Sequence, residues 1–172
     1  MSDTRWLDDH EQKTWRSFLT ATRLFFDGIE RQLQQDSGLP HAYYEILVRL
    51  SEAPGRTLRM SDLASTSLSS RSRISHAVAR LEENGWVRRR PCEHDKRGAL
   101  AELTDAGMAG LREAAPRHVE SVRRGLFDAL SPEQVAALRD ISDTLVGHLS
   151  NEPVWPVADD QARTRTGREA AG

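Results

Sequence analysis

Apolar side chains recur at steps of three and four from Trp15 through Phe18, Leu19, Thr22, Phe25, Phe26 and Ile29 to Leu33, the spacing of one face of a long amphipathic helix. Ser37-Gly38 ends it, because glycine takes a left-handed cap at no steric cost. Pro40 suits the start of a second helix over 41–51, with Tyr44, Ile46, Leu47 and Leu50 on its apolar side, and Ala53-Pro54-Gly55 breaks that helix. The run Thr57-Leu58-Arg59 leads into a short third helix over 60–67, in which Leu63 and Ala64 point inward. Hydroxyls at Ser69 and Ser70 can cap a fourth helix over 71–84, built on Ile74, Val78 and Leu81 and stopped at Asn84-Gly85.

From Trp86 the period changes. Residues 86–92 and 99–103 read as two strands joined by a charged segment over 93–98, a β-hairpin. Thr104 can cap a long fifth helix over 105–130, with Met108, Leu111, Val119, Val122, Leu126 and Leu130 on one side and Pro116 as a point of bending. Ser131-Pro132-Glu133-Gln134 has the form of a capping box and opens a last helix carrying Val135, Leu138, Ile141, Leu145 and Leu149. The residues after 150 are too polar to bury a core, so 151–172 is expected to be a flexible tail.

A formal net charge of -2 over 172 residues argues against a polyanionic partner until it is resolved along the chain. Residues 1–55 hold 6 basic and 9 acidic side chains, 56–98 hold 10 and 5, and 99–172 hold 8 and 12. The centre is thus a +5 island in an acidic protein, and it contains Arg71, Arg73, Arg80, Arg88, Arg89, Arg90, Lys96 and Arg97. That density can neutralise several phosphates if the side chains share a face.

Other chemistries find little support. One cysteine, Cys92, allows neither an internal disulfide nor a zinc ribbon and fits a reducing compartment. The histidines lack the spacing of metal ligands, and no P-loop, nucleophile elbow or Gly-rich dinucleotide turn occurs, so neither a metal, a cofactor nor catalysis is expected. No apolar run of membrane-spanning length and no apolar leader is present, and a cytoplasmic protein is expected.

Helix, short helix, polar turn, helix and hairpin follow in the order of a winged helix-turn-helix, with the basic island on the last helix and the hairpin. Leu63-Ala64, Leu81-Glu82-Glu83-Asn84-Gly85-Trp86-Val87-Arg88-Arg89, and Asp95-Lys96-Arg97 followed by Leu103-Thr104-Asp105-Ala106-Gly107 carry a resemblance to the MarR family of bacterial transcriptional regulators. It extends over roughly residues 10–150 and implies a mainly α fold of about six helices with a small hairpin wing.

It also implies an obligate homodimer that represses genes and is released by a small molecule entering a cleft. Residues 1–38 and 105–150 would then serve dimerisation and 39–104 would form the DNA-binding lobe. Apolar surface on the terminal helices beyond what so small a lobe can cover agrees with a dimer.

On this reading Ser70, Arg71, Ser72, Arg73, Ser75, His76 and Arg80 lie on the polar side of the recognition helix, where Arg can pair guanine bidentately and Ser or His can reach bases or phosphate. Arg97 occupies the wing-tip position beside the minor groove, with Lys96 on phosphate and Asp95 bracing the turn. Strand alternation sends Arg88 and Arg90 one way and Arg89 the other; Arg89 is the DNA-facing candidate, with its neighbours left open. Trp15, Arg16, Phe18, His41 and Tyr44 are candidates for a site that takes a small aromatic or phenolic effector. Two alternatives remain: a winged-helix module for protein association, and a redox sensor built on Cys92.

Overall fold

The computed structural model describes residues 4–67, 69–92 and 95–150. Among them the chain forms α1 (Asp9–Ser37), α2 (His41–Glu52), β1 (Thr57–Arg59), α3 (Met60–Thr66), α4 (Arg71–Glu83), β2 (Val87–Cys92), β3 (Asp95–Leu103), α5 (Asp105–Gly125) and α6 (Pro132–Leu149). The expected tail, 151–172, lies outside the described residues. The three strands make one antiparallel sheet in the order β1-β3-β2, so a winged helix-turn-helix lobe is carried between long terminal helices. No helix among the described residues is long and apolar enough to cross a membrane.

Local chemistry explains where the elements begin and end. α1 starts at Asp9, ahead of its first apolar position, because Asp8 and Glu11 form a capping box: Asp8 Oδ1 accepts from the Glu11 N–H at 2.8 Å, and Glu11 Oε2 from the Asp8 N–H at 2.9 Å. It ends at Gly38, whose φ of 64° permits a left-handed turn. α5 remains helical through Pro116 but stops at Gly125, before the expected 130, because Leu126 leaves the helical region and Phe127–Ala129 tighten into a 3-10 turn. β3 is longer than the expected 99–103, beginning at Asp95, and Thr57–Arg59 is a true edge strand, with Leu58 opposite Ala101.

The core of the lobe is formed by Ile46, Leu47 and Leu50 of α2, Leu63 of α3, Val78 and Leu81 of α4, and Val87 of β2, with Leu33 reaching in from α1. Each is fully buried, which stabilises the fold by about 1.5–3 kcal/mol per side chain. The buried guanidinium of Arg49 donates to the Thr66 carbonyl and so ties α2 to the end of α3. Packing fades toward the chain ends. α1 buries only Ile29 and Leu33, and α6 buries no residue.

The lobe meets the first turn of α5 at a tight approach. Thr104 caps α5 by accepting from the Gly107 N–H at 3.0 Å, and its hydroxyl donates to the carbonyls of Gly85 and Trp86. A Cβ on Gly107 would stand 2.2 Å from the Trp86 carbonyl oxygen, so the helix can lie this close only without a side chain there. Gly107→Ala should therefore destabilise the protein by about 1–3 kcal/mol, seen as a lower urea midpoint with an unchanged m value.

Candidate nucleic-acid interface

Ser70 opens α4 by accepting from the Arg73 N–H at 3.3 Å, and Ile74, Ala77, Val78 and Leu81 turn inward. The same periodicity leaves Arg71, Ser72, Arg73, Ser75, His76 and Arg80 exposed. The expected polar side is thus one surface. Arg80 is paired with Glu83 at 2.8 Å, one turn on, whereas among the described residues neither Arg71 nor Arg73 is held by a carboxylate. An unpaired guanidinium keeps its full fork of donors for an outside acceptor.

The hairpin sorts its three arginines by face. Arg88 and Arg90 both reach Glu102, at 2.7 and 3.0 Å. Their hydrogen bonds and charge, with Arg88 foremost, hold the Glu102 carboxyl below the usual carboxylate range. Arg89 points to the opposite face, toward α4. Its Nη2 donates to the Ser75 carbonyl at 2.6 Å, and its backbone N–H donates to Glu82 Oε1 at 3.0 Å. Asp95, Lys96 and Arg97 open β3, and their side chains lie outside the described residues. Cys92 is buried at the end of β2, beside a break in strand register.

A cavity of about 490 Å³ separates α4 from the start of α3 and the wing; Arg59, Ser61, Arg71, Ser75 and Arg89 are among its walls. Arg59 is a wall residue that sequence reasoning misses, whereas Ser61 reads there as a helix cap with a phosphate contact second. The available signal for Arg59 was its position at the start of a helix-turn-helix inside the basic island. The role of Glu102 is legible only from cross-strand register, which sets it opposite Arg88.

The effector residues expected from the sequence do not gather into one site within the chain. His41 and Tyr44 meet His118 of α5, with ring centroids 6.1 and 4.3 Å away, and Phe26 lies 5.8 Å from His41. The His41 N–H donates to Glu30 Oε2 at 2.9 Å. Trp15 and Phe18 are half exposed and contact each other farther up α1, while Arg16 reaches Gln12 at 3.4 Å. His118 had no sequence signal, since only tertiary packing sets it beside α2.

Burial, and secondarily the charge of His41, lowers the His118 pKa, and its Nδ1 is buried without a hydrogen-bond partner. The unfolded chain then binds the extra proton as pH falls past the ordinary histidine value of 6.5, so the His118 contribution to stability is complete above that value and is lost as pH drops toward the folded-state value. Replacing His118 with Gln should flatten this acid-side decline, measured as urea midpoints between about pH 7 and 5.

Comparison with known proteins places this geometry. A family model described as MarR family matches residues 37–98. The fold superposes on Sco3205, a MarR family transcriptional regulator of Streptomyces coelicolor solved in complex with DNA, with a TM-score of 0.84 and 49% identity over 93% of this chain and 97% of that one. For AbsC, a MarR family regulator from the same organism, the TM-score is 0.82 with 45% identity over 87% and 100% of the two chains. Among curated relatives, the regulator PecS of Dickeya dadantii is 32% identical over 53% of this chain, and the repressor MprA of Escherichia coli 28% over 65%. The chain spans 54% and 63% of the length of these two relatives. With near-complete coverage at 49% identity, and with the helix-turn-helix and wing in the same arrangement, the chain belongs to the MarR family.

Proposed function

We propose that the protein is a transcriptional regulator, acting as a repressor, that binds double-stranded DNA as a homodimer. The observation that carries the reading is the exposed side of α4, where Arg71 and Arg73 stand outside any ion pair among the described residues, with Arg71 sharing a cavity with the wing residues Gly98 and Ala99. A helix of this length fits the major groove, where an arginine fork reads guanine O6 and N7. The DNA-bound state of Sco3205, similar over nearly the whole chain, supports the same use here.

Ser70, Ser72, Ser75 and His76 share that side of α4 and supply shorter contacts to bases or phosphate, with Arg80 farther along the helix. Lys96 and Arg97 serve the wing, on phosphate and minor groove, and Asp95 braces its turn. Residues 39–104 act as the reading lobe, and 1–38 with 105–150 join two copies. The apolar side chains left open on α1 and α6, among them Trp15, Phe18, Leu24, Ile141, Leu145 and Leu149, support that association. A small aromatic or phenolic effector would enter at the His41–Tyr44–His118 junction, where the Phe26 and His118 rings flank His41, the candidate partner for an acidic group of the effector.

The operator should be a pseudo-palindrome with half-sites about 10 bp apart. With roughly 6–10 phosphate contacts per dimer, affinity should fall by about 10³–10⁵ between 50 and 200 mM salt, followed by fluorescence anisotropy; a flat titration would sink the proposal. Arg73→Ala should alter preference at one position per half-site by about 1–3 kcal/mol, whereas Arg97→Ala should weaken all sequences alike.

A further inference from the structure

Resting on the DNA-binding reading, we infer that Arg89 is a positioning residue: it locks the wing against the reading helix and does not itself contact DNA. Arg89 is one-third exposed, against 59% and 58% for the side chains of Arg88 and Arg90. Its Nη2 is committed to the Ser75 carbonyl at 2.6 Å, a backbone acceptor on α4. That carbonyl lies in the helix interior and keeps a second lone pair for the guanidinium. Glu82 closes the clamp from the same helix, with Oε1 accepting the Arg89 backbone N–H at 3.0 Å and Oε2 lying 3.6 Å from Nε.

β2 is therefore fastened to α4 at two points seven residues apart, about 10 Å along the helix axis. The covalent link between the two elements is the turn Asn84-Gly85-Trp86, in which Gly85 has a φ of 72°. A single backbone turn leaves the angle of the hairpin adjustable, whereas two anchors about two turns apart on one helical face remove that freedom. The wing and the side chains of α4 must meet one duplex at the same time, so the angle between them sets whether both can dock. The pairing also cancels charge. Arg89 and Glu82 together add little net attraction for phosphate, unlike Arg71 and Arg73.

Glu82→Gln separates the two roles by sign. If Arg89 held a phosphate, removing the carboxylate that competes for it would tighten DNA binding or leave it unchanged. As a clamp, the substitution weakens operator binding although it removes a negative charge. We expect Glu82→Gln and Arg89→Met each to weaken operator affinity about tenfold, and the double variant to be no weaker than either alone. Random duplex should be bound nearly as well as by the parent, so the operator-to-random ratio falls; loss of a phosphate contact or general destabilisation lowers both alike.

In the free dimer, hydrogen exchange of the β2–β3 amides should quicken in both variants while helicity and sedimentation stay as in the parent. Tighter binding by Glu82→Gln, additive defects, or equal losses on operator and random DNA would overturn the inference. Failure of the parent protein to bind any duplex would instead remove the DNA reading, and the exchange measurement would still report on the clamp.

Discussion

Three parts of the molecule converge on one backbone carbonyl. The oxygen of Trp86 accepts from the Thr104 N–H at 3.0 Å and from its hydroxyl at 3.1 Å, while the Trp86 N–H returns to the Leu81 carbonyl at the end of α4. The end of α4, both strands of the wing and the first turn of α5 are thereby fixed relative to one another within a few residues. Gly107 makes the contact possible because its missing side chain lets α5 rest against that carbonyl, and the Trp86 ring lies along the next turn at Gly110. The long helices also touch the lobe through the aromatic contacts of His118 with α2, the Arg56–Asp105 pair at 2.9 Å, and Leu33 and Glu30 of α1.

Charge is distributed with equal economy by the fold. The basic island looks uniform as a list of residues, yet packing divides it into separate uses. Glu102 absorbs Arg88 and Arg90 on one face of the hairpin, Glu83 takes Arg80, and Glu82 and the Ser75 carbonyl take Arg89. Arg71 and Arg73 remain outside such pairs among the described residues, in the first turn of α4. The strength of a basic surface thus depends less on how many arginines it has than on which of them already have partners.

The terminal helices pose the opposite situation, in which surface is left open instead of being consumed. Their apolar periodicity is real, but α1 gives only its last turns to the lobe and α6 gives nothing to the core of the chain. Leu24 and Leu149 are 65% and 75% exposed, an arrangement that costs solubility in a monomer and becomes favourable when a second surface covers it.

Much of this was legible in the sequence because it depends on local rules. Helix caps at Ser70, Thr104 and Ser131, the glycine stop at Gly38, the inward face of Tyr44, Ile46, Leu47 and Leu50, and the two-residue alternation that separates Arg89 from its neighbours follow from side-chain chemistry and backbone period alone. The earlier start of α1 was also written there, in Asp8 and Glu11, but a reading led by apolar spacing passes over a polar first turn. Tertiary structure decided what periodicity cannot express, namely distances between residues remote in sequence. Only cross-strand register brings Glu102 to Arg88, only the packing of hairpin on helix brings Arg89 to Ser75, and only the crossing of α5 over α2 brings His118 to Tyr44. Amphipathic spacing says that a face seeks cover, but three-dimensional packing determines whether the same chain supplies it.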